Sequence, residues 1–322
     1  MKWKKMTFIG IALVAVGTVC TALALSNDSQ LWKNAFFSLQ LNPHTHMQTV
    51  VVDEPEDDMK IENSAGKPKD LEEETTSSIV QSASNYVVRP QSDCSSIDID
   101  ANVGDIIFKT GDQMRIDLVF DNPDDSDAVE ITEQIVDGTW KVDLHLREDG
   151  IFGTHIGTSG LDQAIVTLPE NIHSIKADAD LGSVVFEEVH AARVDVECNA
   201  GNVEMHDCTF DMLKADLDLG SLQLMTLHAG DAEIEMNAGS LGAYDIAIDS
   251  SFKAELDLGQ ADVQIDGQMH DYNLNLKADL GEINVEDERV SASGTYRNNA
   301  GENKPIIEIK ASLGQINLSF ER

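Results

Sequence analysis

The chain has 322 residues, 58 acidic side chains against 22 basic ones, a net charge of −36 and four cysteines. That balance excludes nucleic acid as a partner, because phosphate binding needs a basic patch and none is present. It also excludes a disulfide-held scaffold. Cys20 lies in an apolar run, Cys94 precedes the repeats described below, and Cys198 and Cys208 fall on or near apolar columns. Buried free thiols are expected there, with a Cys198–Cys208 bridge as the alternative.

Residues 1–5 carry three lysines, and residues 6–25 are twenty residues without a charge. Twenty residues suffice for one helical span, and the preceding basic residues place the N-terminus inside. A cleavable signal peptide ending near Ala22-Leu23-Ala24 is the rival. A retained anchor is preferred because Leu31, Trp32, Ala35, Phe36 and Leu39 follow at helical spacing, as a segment at a membrane interface would. Cys20 is a poor lipidation site, since Val19 stands where a small residue is expected. Between Asp53 and Glu74 ten acids face three lysines, a composition that cannot bury enough surface to order itself. The expected organisation is an anchor over residues 1–25, an interfacial segment and disordered acidic linker over 26–90, and a folded domain over 91–322.

That domain is a repeat. Eight copies of Asp/Asn, apolar, Gly, polar, with Ser312 replacing Asp/Asn in the last, are centred on Gly104, Gly182, Gly201, Gly220, Gly239, Gly259, Gly281 and Gly314. Counting from each glycine, positions −7, −5, −3, −1, +2 and +4 are apolar in every copy, and −6, −4 and −2 are polar. Alternation of this kind marks a strand with one buried face. The step from −1 to +2 shifts the phase by one residue, which needs a corner, and glycine permits the positive φ that corners often demand. From Gly182 to Gly281 the glycines lie 19, 19, 19, 20 and 22 residues apart. A period near 20 argues for a solenoid, too short for a propeller blade. The predicted fold is all-β, a single-stack β-solenoid with about one coil per 19–22 residues and coils stacked in sequence order. The −1 column alternates Leu181, Ala200, Leu219 and Ala238, which reads as interdigitating core layers.

The 78 residues from Gly104 to Gly182 are less regular. Strand-like runs at 114–120, 139–147 and 163–168 and turns at Asn122-Pro123-Asp124-Asp125 and Asp137-Gly138 leave two readings of residues 109–172: degenerate coils, or an antiparallel cap. The 33-residue step from Gly281 to Gly314 holds a polar loop over 291–304. Insertions in solenoids often map to the binding face, so this loop is a candidate contact site.

The outward positions are mostly acidic. At −4 the column reads Asp100, Asp178, Glu197, Asp216, Glu235, Glu255, Lys277, Lys310. Stacked about 4.8 Å apart, each carboxylate pair would repel by roughly 0.9 kcal/mol even in water. A solvated face that keeps the repeat soluble is the preferred reading. Weak binding of Ca²⁺ or Mg²⁺, or of a cationic partner, on this ladder is the alternative, although no EF-hand loop or glycine-rich calcium nonapeptide is present. Nothing in the chain points to an organic cofactor or a catalytic set. Histidines are scattered, arginine is nearly absent from the repeats, and Gly157-Thr158-Ser159-Gly160 lacks the lysine of a phosphate loop. The expectation is a non-enzyme.

At Ala164-Ile165-Val166-Thr167-Leu168-Pro169, followed by Ile175-Lys176-Ala177-Asp178-Ala179-Asp180-Leu181-Gly182-Ser183-Val184, the chain resembles a bacterial family of β-strand-repeat proteins named as candidate adhesins. The resemblance runs from about residue 92 to 322. It departs from the common pattern by placing Asp-Leu-Gly or Asn-Ala-Gly where small polar residues usually precede the glycine. It implies an envelope protein, often behind one membrane span, and no catalytic residues. The functional expectation is a membrane-tethered extracellular module that contacts an envelope protein or wall polymer. A regulatory envelope protein working with a membrane partner and a glycan-active β-helix enzyme are the alternatives.

Overall fold

The computed structural model describes residues 80–82, 85–90, 93–102, 104–120, 129–146, 161–170, 172–286, 288–291 and 293–321. The expected anchor, interfacial segment and most of the linker lie outside the described residues. Among those described, no helix is long and apolar enough to cross a membrane. Fourteen strands form one mixed, mostly parallel sheet. They are β1 (Val80–Ser82), β2 (Asn85–Val88), β3 (Ser96–Ala101), β4 (Asp105–Thr110), β5 (Arg115–Phe120), β6 (Val129–Val136), β7 (Thr139–Leu146) and β8 (Leu161–Leu168), then β9 (Ile172–Glu187), β10 (His190–Asp266), β11 (Asn273–Val285), β12 (Glu288–Ser291), β13 (Gly294–Asn298) and β14 (Ile306–Glu321).

The 77-residue β10 is extended chain winding through four coils around Gly201, Gly220, Gly239 and Gly259. Parallel registers place glycine on glycine: Gly182 beside Gly201, Gly259 beside Gly314, and Gly314 beside Gly281. The reason is steric. A Cβ on Gly220 would coincide with the carbonyl oxygen of Gly201, and a Cβ on Gly201 with that of Gly182. Only glycine lets successive coils close to strand spacing at this corner.

Burial then divides each 19-residue coil into three sides. Positions −7, −5 and −3 are buried, then +2 and +4, then +7 and +9, as in Val194, Val196, Cys198, Val203, Met205, Cys208 and Phe210. A second corner falls at +6, where Glu188, Asp207, Thr226 and Asp245 adopt φ of 52°, 54°, 57° and 59°. Asp207 and Asp245 tolerate that left-handed geometry, whereas Glu188 and the β-branched Thr226 adopt it because the corner requires it. The apolar residues at +7 (Val189, Cys208, Leu227, Ile246) were the sequence signal for this corner. The third phase break follows +9. It absorbs the extra residue of the 20-residue step, and the 22-residue step holds a 3₁₀ turn, Met269–Asp271.

Two expectations are corrected. The −1 column is not core. Leu181, Leu258, Leu313 and Leu280 are 41%, 45%, 51% and 68% exposed, and Ala200, Leu219 and Ala238 are half-buried. The chain turns at the glycine, so −2 and −1 both face outward, and the apolar character of −1 reflects something other than burial. The coils also do not stack in sequence order. β14 pairs in parallel with the last turn of β10 on one side and with β11 on the other. Both strands carry the same side-chain pattern, so either slot would satisfy it.

The stack closes at both ends. Beyond the Gly104 coil, β7 pairs in parallel with β3 and β8 with β4, forming one degenerate coil. Antiparallel strands β6, β5, β2 and β1 then cover its edges. The described residues within 109–172 are therefore partly coil and partly cap, and β1 and β2 fall within the segment assigned to the linker. At the other end residues 288–291 and 294–298 are not a free loop. β12 and β13 pair antiparallel with the outer edge of β11, and the Asn273 amide holds the following turn through the carbonyls of Gly301 at 3.0 Å and Lys304 at 3.1 Å. Covered edges of this kind resist strand addition. Cys198 and Cys208 are buried free thiols whose pKa values burial pushes up to about 11, so both are chemically quiet.

Candidate functional site

With the interior filled, surface columns remain for contacts, and three are distinctive. The first is the acidic ladder. In spatial order it runs Asp100, Asp178, Glu197, Asp216, Glu235, Glu255, Lys310, Lys277, with Asp100 and Asp178, and Asp178 and Glu197, as register partners. Burial, then the charges of Asp100 and Glu197, raise the pKa of Asp178 above its usual 3.8. Asp100 is raised by burial and by Asp143 and Asp180, against His145 and Lys176. Asp216 is raised by burial and by Asp218, Glu197 and Asp195, against Lys214. Lys310 interrupts the series, 2.6 Å from Glu255 and 2.8 Å from Glu308. The neighbouring −2 column relieves its own repulsion by alternation, since the amides of Asn199 and Asn237 donate to Asp180 and Asp218. The ladder places the six carboxylates in file, yet among the described residues no group of three or more His, Cys, Asp or Glu could hold a metal ion.

Raised carboxyl pKa values mean that the folded state binds protons more tightly than the unfolded chain. Their contribution to stability therefore grows as pH falls from neutral through the raised values toward 3.8, and is lost as pH rises. The ion-paired Asp271 and Glu308, with lowered values, act oppositely and only at lower pH. Melting the protein at about pH 7 and about pH 5 should show the higher midpoint at the lower pH. Asp178→Asn should raise the neutral-pH midpoint by a few degrees and shrink that difference. An unchanged midpoint would contradict the charge-stacking account.

The second column is the corner ladder at −1. Leu258, Leu313 and Leu280 succeed one another in register on the last three coils, flanked by the polar Asp257, Ser312 and Asp279. The third feature is an open groove of about 540 Å³ on the adjoining side, across the Gly239, Gly259, Gly314 and Gly281 coils. Tyr244, Asp262, Gln264, Glu282, Asn317, Asn284 and Arg289 are among the residues that line it. Asn284 Nδ2 donates to Asn317 Oδ1 at 2.8 Å, Asn317 Nδ2 donates to Asp262 Oδ1, and Gln260 Nε2 donates to Asp262 Oδ2 at 2.7 Å. Arg289 Nε lies 3.4 Å from Glu282 Oε1. Burial and the charge of Asp262 raise the pKa of Tyr244. Reading the sequence by its core columns missed this groove. Its signal was a run of Asp, Asn and Asn at +3 in the last three coils beside a tyrosine at +5.

The family model described as Toastrack DUF4097 matches residues 94–285 and 170–319. No curated protein matches the chain. Among solved structures, a candidate adhesin from Bacteroides fragilis is 16% identical, covering 74% of this chain and 98% of its own, with a TM-score of 0.49. A candidate adhesin from Parabacteroides distasonis is 13% identical over 74% and 96%, with a TM-score of 0.39. A candidate cell adhesion protein from Clostridium sporogenes is 14% identical over 76% and 100%, with a TM-score of 0.30.

Proposed function

Because the chain belongs to the Toastrack DUF4097 family, we propose that it is a non-catalytic binding module of the bacterial cell envelope, tethered by residues 6–25 and displayed outside the membrane. The observation that carries this reading is the exposed leucine ladder. A solvent-facing run of Leu258, Leu313 and Leu280, 45%, 51% and 68% exposed, contributes nothing to the core, and contiguous apolar surface on a soluble domain marks a contact site. The acidic columns around it favour a partner that carries positive or no charge. Binding fits the surface better than catalysis does: His206 and His228 sit beside single carboxylates on solvated faces, at 3.5 Å from Glu204 and 3.2 Å from Asp249.

The test is photocrosslinking in whole cells expressing the full chain. A crosslinking residue at Leu280 should give a discrete adduct, whereas one at the exposed Asp249, away from the ladder, should not. Adducts at neither position, or equal smears at both, would overturn the binding role. A single integral membrane protein in the adduct would identify the module as part of a regulatory pair.

A further inference from the structure

We propose that the groove lined by Tyr244, Asp262, Asn317, Asn284 and Arg289 is a subsite for a neutral pyranose oligosaccharide. The inference rests on the reading of this chain as a binding module and names the ligand class of one of its surfaces.

Four observations carry it. The first is the make-up of the groove. The Tyr244 ring, 43% exposed, offers a flat apolar face with a polar tip at one side, which suits the C–H face of a sugar ring. Around it stand two carboxylates, three carboxamides and a guanidinium. These planar groups can pair with adjacent hydroxyls, and each carboxamide both donates and accepts.

The second is preorganisation. Asn284, Asn317 and Asp262 occupy the same +3 position of three successive coils and are tied by the hydrogen bonds Asn284 to Asn317 and Asn317 to Asp262. Gln260 and Gln315 brace them from the +1 column, Gln315 Nε2 donating to Asn317 Oδ1 at 2.8 Å. Each asparagine amide has a second N–H beyond the one used in this ladder. Side chains already held in place lose little entropy when a ligand binds.

The third is the repeat along the axis. Equivalent polar groups recur at the strand spacing of about 4.8 Å, close to the length of one pyranose unit in an extended chain. A polymer of similar period can therefore meet the same side-chain type at each step.

The fourth is charge. Asp262 and Glu282 bring negative charge to the groove, Arg289 is engaged with Glu282, and the chain as a whole carries −36. Phosphate-bearing or uronate polymers are repelled by such a field. A neutral glycan is not.

The test is titration of the full chain, in detergent, against a panel of neutral tetrasaccharides of differing epimer and linkage. A glycerol-phosphate polymer and a uronate tetramer serve as anionic probes. At least one neutral tetrasaccharide should bind. Tyr244→Ala and Asn284→Ala should each weaken it at least tenfold while leaving the melting midpoint within a few degrees of the parent. Failure of every neutral probe at millimolar concentration, tighter binding of an anionic probe, or affinity unchanged in both variants would overturn the assignment. A protein adduct from a crosslinking residue at Tyr244 would overturn it too. The outcome is separable from the proposed function. A Leu280 adduct with no sugar binding removes the glycan subsite alone, and loss of that adduct removes the binding module.

Discussion

Gly220→Ala should leave the protein unfolded at ordinary temperatures or lower its melting midpoint by more than 15 °C, on the order of 4–7 kcal/mol at roughly 2–4 °C per kcal/mol for a domain of this size. The added Cβ would fall on the carbonyl oxygen of Gly201 in the preceding coil. Backbone cannot step aside as a flexible side chain can. Relief would require parting two coils, and both pair with further coils through the same glycine column. Gly301→Ala supplies the control. Gly301 also has a positive φ, +126°, but a Cβ there meets nothing within 4 Å, so only conformational strain of about 1–2 kcal/mol remains. Thermal unfolding of both variants decides the matter. Equal losses would show that dihedral strain, not the approach of coils, makes the glycine column necessary.

Phe186→Ala should cost about 3–5 kcal/mol, close to 10 °C in the same measurement. Phe186 is fully buried and bridges layers, stacking on Phe108 at 4.6 Å and meeting the edge of Phe210 at 6.3 Å. In a solenoid stability is a sum of nearest-neighbour interfaces, and this ring serves two of them at the junction with the irregular N-terminal coil. Phe320, partly buried beside Tyr272 at 5.8 Å near the other end, should tolerate alanine better. If Phe320→Ala proves the costlier change, the cost of losing a ring does not follow its burial and the number of rings it meets.

The core of this fold was legible in the sequence for a plain physical reason. Positions −7, −5 and −3 alternate with polar residues in every copy, +2 and +4 are apolar in every copy, and a strand with one face in a core reads this way. All of these positions are buried. The −1 column misled because burial implies apolar residues while an apolar residue does not imply burial. Leu280 obeys the pattern and is 68% exposed. The order of the last two coils was hidden because β11 and β14 present interchangeable faces: Leu276 and Ile309, Ala278 and Ala311, Ile283 and Ile316. The acidic ladder was visible because charge repeats at a fixed offset. The groove was not. It needs Tyr244 from one coil, Asp262 and Asn317 from others, and Arg289 from the terminal hairpin, and that grouping exists only after β14 has taken its interior place.

That placement bears on how the chain can be made. β14 leaves the ribosome after β11 yet lies between β10 and β11 in the finished stack, so β11 and its hairpin have no final seat until residue 321 has emerged. Before then the exposed flank of β10 and the matching flank of β11 are the best partners each can find. Their union would give a well-packed solenoid one coil short, with β14 left out. Completing the native stack is then an act of insertion rather than addition, and a chain cut short before β14 would lose an inner layer, not its tip.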